Sequence, residues 1–133
     1  MNTTRVLLVD DNTSLCKTMS FILERKGYDV SIVIDGEAAI DRVREQLYDV
    51  IIMDIKMPKM DGVETFKKMK KVRPDIPVLM MTGYAVPDLV DEALKEGAWA
   101  VMYKPFDMEV VLKQIEEIVS SGKRLHKGRP AKK

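Results

Sequence analysis

Five residues have the types and positions to do chemistry together: Asp10, Asp11, Asp54, Thr82 and Lys104. Asp10-Asp11 ends the apolar run Val6–Val9, and Asp54 ends Val50–Met53. Thr82-Gly83 closes Pro77–Met81, and Lys104-Pro105 comes just after a short run at Ala100–Met102. Taken singly, each has a bland reading. Acids at strand ends are commonly helix caps, and a lone Thr-Gly or Lys-Pro pair says almost nothing. Taken together they say more. Three crowded carboxylates raise one another's pKa unless a cation joins them. Mg²⁺ suits that role, since it prefers hard oxygen ligands and keeps several waters. A divalent ion and a carboxylate facing a phosphoryl group form a phosphoryl-transfer arrangement. One acid would then be the nucleophile and the other two would hold the metal. Lys104 can neutralise a phosphoryl oxygen as a point charge, and Thr82 offers a hydroxyl and backbone N–H groups.

Such a cluster forms only if the intervening elements bring the run ends together. Val6–Val9 and Val50–Met53 are continuous apolar runs, as strands buried on both faces require. Val30–Ile34 reads as a second strand, Pro77–Met81 as a fourth and Ala100–Met102 as a short fifth. Between them lie amphipathic stretches with helical spacing. The first, capped by Asn12 or Thr13, carries Leu15, Met19, Ile22 and Leu23 and ends at Gly27. The second opens at Asp35-Gly36 with Ala39, Ile40, Val43 and Leu47 on one face. Val63, Phe66, Met69 and Lys70 mark the third, which ends before Pro74. Leu89, Val90, Ala93 and Leu94 line the fourth, which stops at Gly97. The last begins near Asp107, with Val111, Ile115, Ile118 and Val119 inward. Strict strand–helix alternation predicts an α/β doubly wound parallel sheet of five strands, a flavodoxin-like (βα)5 sandwich of order 2-1-3-4-5. In that order the chain reverses between strands one and three, opening a crevice at their carboxyl ends. Asp10, Asp11 and Asp54 all fall there.

Length and composition narrow the classes. At 133 residues the chain fits one domain with a short appendage, able to bury a core without disulfides or a structural metal. A single cysteine, Cys16, excludes an intrachain disulfide and a cysteine-rich zinc cage. The single histidine, His126, argues against a histidine-based metal site. The apolar run near the N-terminus is too short for a signal peptide or a membrane span. The chain therefore reads as soluble and cytoplasmic, without a membrane partner. Residues 120–133 hold six Lys or Arg and no acid, which leaves 16 bases against 21 acids in the body. We read residues 1–121 as the folded domain and 122–133 as a basic tail, disordered or the start of a linker. Lys127-Gly128-Arg129-Pro130 could contact DNA phosphates, but this is the lesser reading of a solvated terminus.

The ordered set of motifs resembles the response-regulator receiver family of two-component signalling, which has a chemotaxis-regulator-like fold. The match runs from about Arg5 to Val119. It is carried by Val9-Asp10-Asp11, Met53-Asp54-Ile55-Lys56-Met57-Pro58-Lys59-Met60-Asp61-Gly62, Met81-Thr82-Gly83 and Lys104-Pro105-Phe106. The Asp-x-x-Met-Pro-x-Met-Asp-Gly stretch is the specific part. The resemblance implies that Asp54 accepts a phosphoryl group from a phosphohistidine on a histidine kinase or phosphotransfer protein. It implies that Asp11, Asp54 and the Lys56 backbone carbonyl ligate Mg²⁺, with Asp10 acting through water. Thr82 would turn toward the phosphoryl oxygens and Lys104 would pair with them. The Lys104-Pro105 peptide would be cis, an uncommon state, and Pro58 and Gly62 would shape the loop after the nucleophile. Phosphorylation adds about −1.5 to −2 charges and three acceptors. Satisfying them moves Thr82 and Lys104, which biases the helix 4, strand 5, helix 5 face. That face is the expected surface for a downstream protein or a second copy. Such a domain catalyses only its own phosphoryl transfer and dephosphorylation.

This sequence departs from the family pattern in places. Val101 stands where members usually carry Tyr or Phe, three residues before the lysine. Tyr103 points to the other side of its strand from Lys104 and is no obvious substitute. Trp99 and Tyr103 read as apolar contact on the exposed face. Lys56 and Tyr84, each two residues after a site residue, flank the route of hydrolytic water and are large. Rival functions fare worse. A haloacid-dehalogenase-type phosphatase wants Asp-x-Asp, but the third residue here is Asn12. An FMN binder wants a phosphate cradle where this chain has acids. A receiver-like docking module that needs no phosphate is the remaining alternative.

Overall fold

The computed structural model describes residues 3–125, with side chains described for residues 3–121. The basic stretch from 126 onward, including His126 and the DNA contact considered for it, lies outside the described residues. Strands β1 (Arg5–Val9), β2 (Asp29–Val33), β3 (Val50–Asp54), β4 (Val78–Thr82) and β5 (Ala100–Tyr103) alternate with five helices. These are α1 (Thr13–Arg25), α2 (Gly36–Glu45), α3 (Gly62–Val72), α4 (Pro87–Lys95) and α5 (Met108–Leu125). All neighbouring strands are parallel, in the order β2-β1-β3-β4-β5. The doubly wound sheet of the sequence reading is therefore the observed fold.

Alternation of side chains along each strand divides the core into two layers. Leu7, Val9, Ile51, Met53, Val78 and Met80 face α2, α3 and α4. Val6, Leu8, Val50, Ile52, Leu79 and Met81 face α1 and α5. Both faces are covered, which is why β1, β3 and β4 read as unbroken apolar runs. Three helices start on Asx caps: Asn12, Asp35 and Asp61 accept from the backbone N–H of Leu15, Ala38 and Glu64. A cap of this kind contributes about 1 kcal/mol. These caps set where α1, α2 and α3 begin, and two of them follow directly on the site loops.

The structure differs from the sequence reading in detail. β2 ends at Val33, whose carbonyl accepts from Asp10 N–H, and Ile34 beyond it is half exposed. β2 is an edge strand, so its β-branched run does not mark continuous burial. Leu47 is 67% exposed because α2 stops at Glu45 and Gln46 turns to extended backbone. Leu94, expected on the inner face of α4, lies outward, where Val90 and Ala93 carry the packing. α5 continues past Ser121 to Leu125. Among the described residues no helix is long and apolar enough to cross a membrane.

Candidate functional site

The chain reversal between β1 and β3 brings Asp10, just past the end of β1, beside Asp54, the last residue of the adjacent parallel β3, the two strands being paired up to Val9↔Met53. Carboxylate oxygens of Asp10, Asp11 and Asp54 lie within 4.8 Å of one another. Asp10 and Asp54 are buried, and Asp11 is exposed. Both Asp10 oxygens are already engaged by protein. Oδ1 accepts from Asn12 N–H at 3.0 Å, and Oδ2 accepts from Lys104 Nζ at 2.9 Å. Asp54 differs. Its Oδ1 sits 3.4 Å from Lys104 Nζ, within reach of the charge, yet it is a buried oxygen without a hydrogen bond.

The electrostatics follow from this crowding. Burial first, then the Asp10 charge, push the Asp54 carboxyl up to about 6, with Lys104 pulling the other way. For Lys104, burial lowers the pKa, but the bond to Asp10 and the charge of Asp54 outweigh it, so the ammonium is held above its ordinary value. An all-oxygen cluster with an unpartnered buried carboxylate oxygen fits a hard divalent cation. Mg²⁺ is the cofactor this donor set takes, and it would relieve the repulsion that now raises Asp54.

The other expected residues divide. A pocket of about 380 Å³ opens over the acids, and Lys56, Pro58, Tyr84 and Lys104 line it. The Lys104-Pro105 peptide is cis, as the resemblance implied. Gly62 lies beneath the Asp54 end of β3. A Cβ there would stand 2.5 Å from the Asp54 carbonyl oxygen and 2.9 Å from Ile55 Cα. Only glycine permits that approach. Thr82 is buried, and its hydroxyl is committed elsewhere. It accepts from Tyr84 N–H at 3.1 Å and donates to the Tyr84 carbonyl at 3.2 Å. β5 is tied in register, since Lys104 N–H donates to the Thr82 carbonyl. Val101 packs against the α4-side core layer, and Tyr103 is exposed.

Two contributors were missed at the sequence level. Asn12, read only as a cap, also lines the pocket and gives its N–H to Asp10. Its place directly after the acidic pair was the available signal. Cys16 turns its thiol toward the Asp10 carbonyl, and burial followed by the Asp10 charge raises that thiol to about 11. Nothing in its sequence context marked it.

A doubly wound sheet with acids at the switch point and a lysine from the last strand's end defines a class of phosphoryl-accepting signalling domains. The model of the response regulator receiver domain matches residues 6–116, and the chain belongs to that family. It is 39% identical over 115 residues to the transcriptional regulatory protein ZraR of Klebsiella oxytoca. That match covers 86% of this chain and 26% of ZraR, so the chain spans about a quarter of that relative's length. Its structure resembles a CheY-like response regulator receiver domain protein from Methanospirillum hungatei JF-1. The TM-score is 0.89 at 31% identity, with 92% of this chain and 98% of that one covered. The beryllofluoride-activated NtrC4 receiver domain dimer gives 0.82 at 34% identity, covering 87% and 96%. The domain is a phosphorylation-dependent signalling switch whose catalysis is confined to its own phosphoryl group.

Proposed function

We propose that Asp54 is the phosphoacceptor and that a phosphohistidine of a sensor histidine kinase or phosphotransfer protein is the donor. The observation that carries this is the buried, unpartnered Oδ1 of Asp54 beside the Lys104 ammonium. Both Asp10 oxygens already have hydrogen bonds, whereas this one is left for a new bond. In the transfer, an Asp54 oxygen attacks phosphorus in line as the P–N bond to the imidazole breaks, and the imidazole takes up a proton. Asp11, Asp54 and the Lys56 carbonyl would hold Mg²⁺, which supplies charge neutralisation at the phosphoryl oxygens. Asp10 supports the site through water, consistent with both its oxygens being engaged. Lys104 pairs with a phosphoryl oxygen, and Thr82 leaves Tyr84 to bond another. Pro58, Gly62 and Pro105 hold the loops. Lys56 and Tyr84 stand over the route of hydrolytic water.

The output reading is that α4, β5 and α5 form the surface for a downstream protein or a second copy of the chain. The dimer named for NtrC4 is support by similarity. Incubation with acetyl phosphate and Mg²⁺ tests the acceptor. We expect a phosphoryl mass adduct on the wild type and none on Asp54→Asn. A wild type without an adduct would leave a docking module that needs no phosphorylation.

A further inference from the structure

Helix α4 is anchored unequally at its two ends. At the first turn the N-cap is Val86, which provides no side-chain cap bond. The preceding loop is held through the Thr82 hydroxyl on the Tyr84 backbone. The last turns are tied to α3. Lys67 Nζ lies 2.5 Å from Glu92 Oε2, and Lys70 Nζ lies 3.1 Å from Glu96 Oε1 and 2.5 Å from the Glu96 carbonyl oxygen. Lys70 also sits 5.3 Å over the ring of Phe66, a buried residue one turn earlier on α3. Spacings of three on α3 and four on α4 place each pair of charges on one helical face. Beyond the helix, Ala98 N–H donates to Ala93 and Trp99 N–H to Val78 on β4.

Exposed ion pairs are individually weak and screened by salt. This brace is more than a pair, because one cation also bonds a helix-terminal carbonyl, where the macrodipole favours it. None of its residues belongs to the phosphoryl site. The tether at the other end, by contrast, is the very hydroxyl that a phosphoryl group would draw away.

We infer that α4 is hinged at its C-terminal end. The Lys67–Glu92 and Lys70–Glu96 brace holds the last turn on α3 in both states, so switching swings Pro87–Val90 and leaves Glu92–Ala98 in place. This rests on the reading of α4, β5 and α5 as the output face. A swing of this kind needs no aromatic side chain at position 101, where Val101 shares one core layer with Val86, Leu89, Val90 and Ala93. It also points the moving surface toward the site end of the sheet.

Backbone amide shifts of the full chain, recorded with and without Mg²⁺ and beryllofluoride, test the hinge. In the wild type the changes should concentrate in Tyr84–Val90 and be about threefold smaller across Glu92–Ala98. In Lys67→Met/Lys70→Met, which removes both ion pairs and the bond to the Glu96 carbonyl, the second segment should rise to match the first. Lys67→Ala/Lys70→Ala removes the same contacts and should give the same result if the first variant does not fold. Equal changes in both segments of the wild type, or an unchanged profile in the folded variant, overturn the hinge and leave the output face standing. Changes around Asp54 with none anywhere in α4 overturn the output reading as well.

Discussion

Lys104 is bonded to Asp10 and only charge-paired with Asp54: its Nζ is 2.9 Å from Asp10 Oδ2 with hydrogen-bond geometry, and 3.4 Å from Asp54 Oδ1 without it. The lysine is therefore parked on Asp10, and Asp54, the proposed phosphoacceptor, keeps an oxygen without a hydrogen bond. A phosphoryl group on Asp54 would present a stronger acceptor and draw the ammonium across.

Removing that cation should be costly. In Lys104→Met the buried Asp10 loses its partner, and a buried pair broken on one side typically loses about 3 kcal/mol. Asp54 should also titrate higher than about 6, because Lys104 is what pulls it down. Urea unfolding at neutral pH and a carboxyl NMR titration measure the two effects. An Asp54 midpoint that stays put would count against this account of the site.

The pH dependence of stability has a definite sign. The Asp54 carboxyl is raised from its ordinary 3.8 to about 6, so folding favours its protonated form. Its contribution is fully present below pH ~4 and is lost as pH rises through about 6. Above that range the ionised group costs roughly 3 kcal/mol, at 1.36 kcal/mol per unit. Asp54→Asn should thus stabilise the domain at neutral pH, with the gain shrinking toward pH ~4. Mg²⁺ should raise the wild-type Tm at neutral pH and do less for the variant. A variant no more stable than wild type at neutral pH would refute the strained-acid reading.

Lys56 and Tyr84 both line the pocket mouth, and Tyr84 is largely exposed there. Their bulk should slow water's approach to the phosphoaspartate. Lys56→Asn and Tyr84→Ala are each expected to release phosphate several-fold faster, on the order of 1 kcal/mol in barrier. Release rates from purified phosphoprotein would show it, and equal rates in all three proteins would end the idea.

Gly62→Ala should disturb Asp54 without touching a polar group. The added Cβ meets backbone atoms of Asp54 and Ile55, which cannot rotate away. We expect a loss of about 1–3 kcal/mol, together with slower labelling by acetyl phosphate. Full stability with unaltered labelling would show that the loop yields freely.

Much of the architecture could be read from the chain because both helical and strand periods are strong. Unbroken runs such as Val6–Val9 mark strands covered on two faces, and Asn12, Asp35 and Asp61 cap where their residue type suggests. The misreadings have one cause. Ile34, Leu47 and Leu94 are apolar and in period, but their elements end early or leave that side open. Periodicity records which face a residue would occupy, and it does not record whether anything covers that face.

The sequence alone determined the strand–helix alternation and the parallel sheet, and pointed to the convergence of Asp10, Asp11 and Asp54. Right-handed crossovers leave few topologies for five such strands, and 2-1-3-4-5 is a common one. Only the tertiary structure decided how the polar groups are shared. Lys104 reaches Asp10 across 94 positions, and Lys67 and Lys70 reach Glu92 and Glu96 across 25 and 26. Thr82 turns to the Tyr84 backbone instead of the pocket. Such choices depend on rotamers and on ångström-scale distances between helices, to which a pattern of apolar and polar residues is blind.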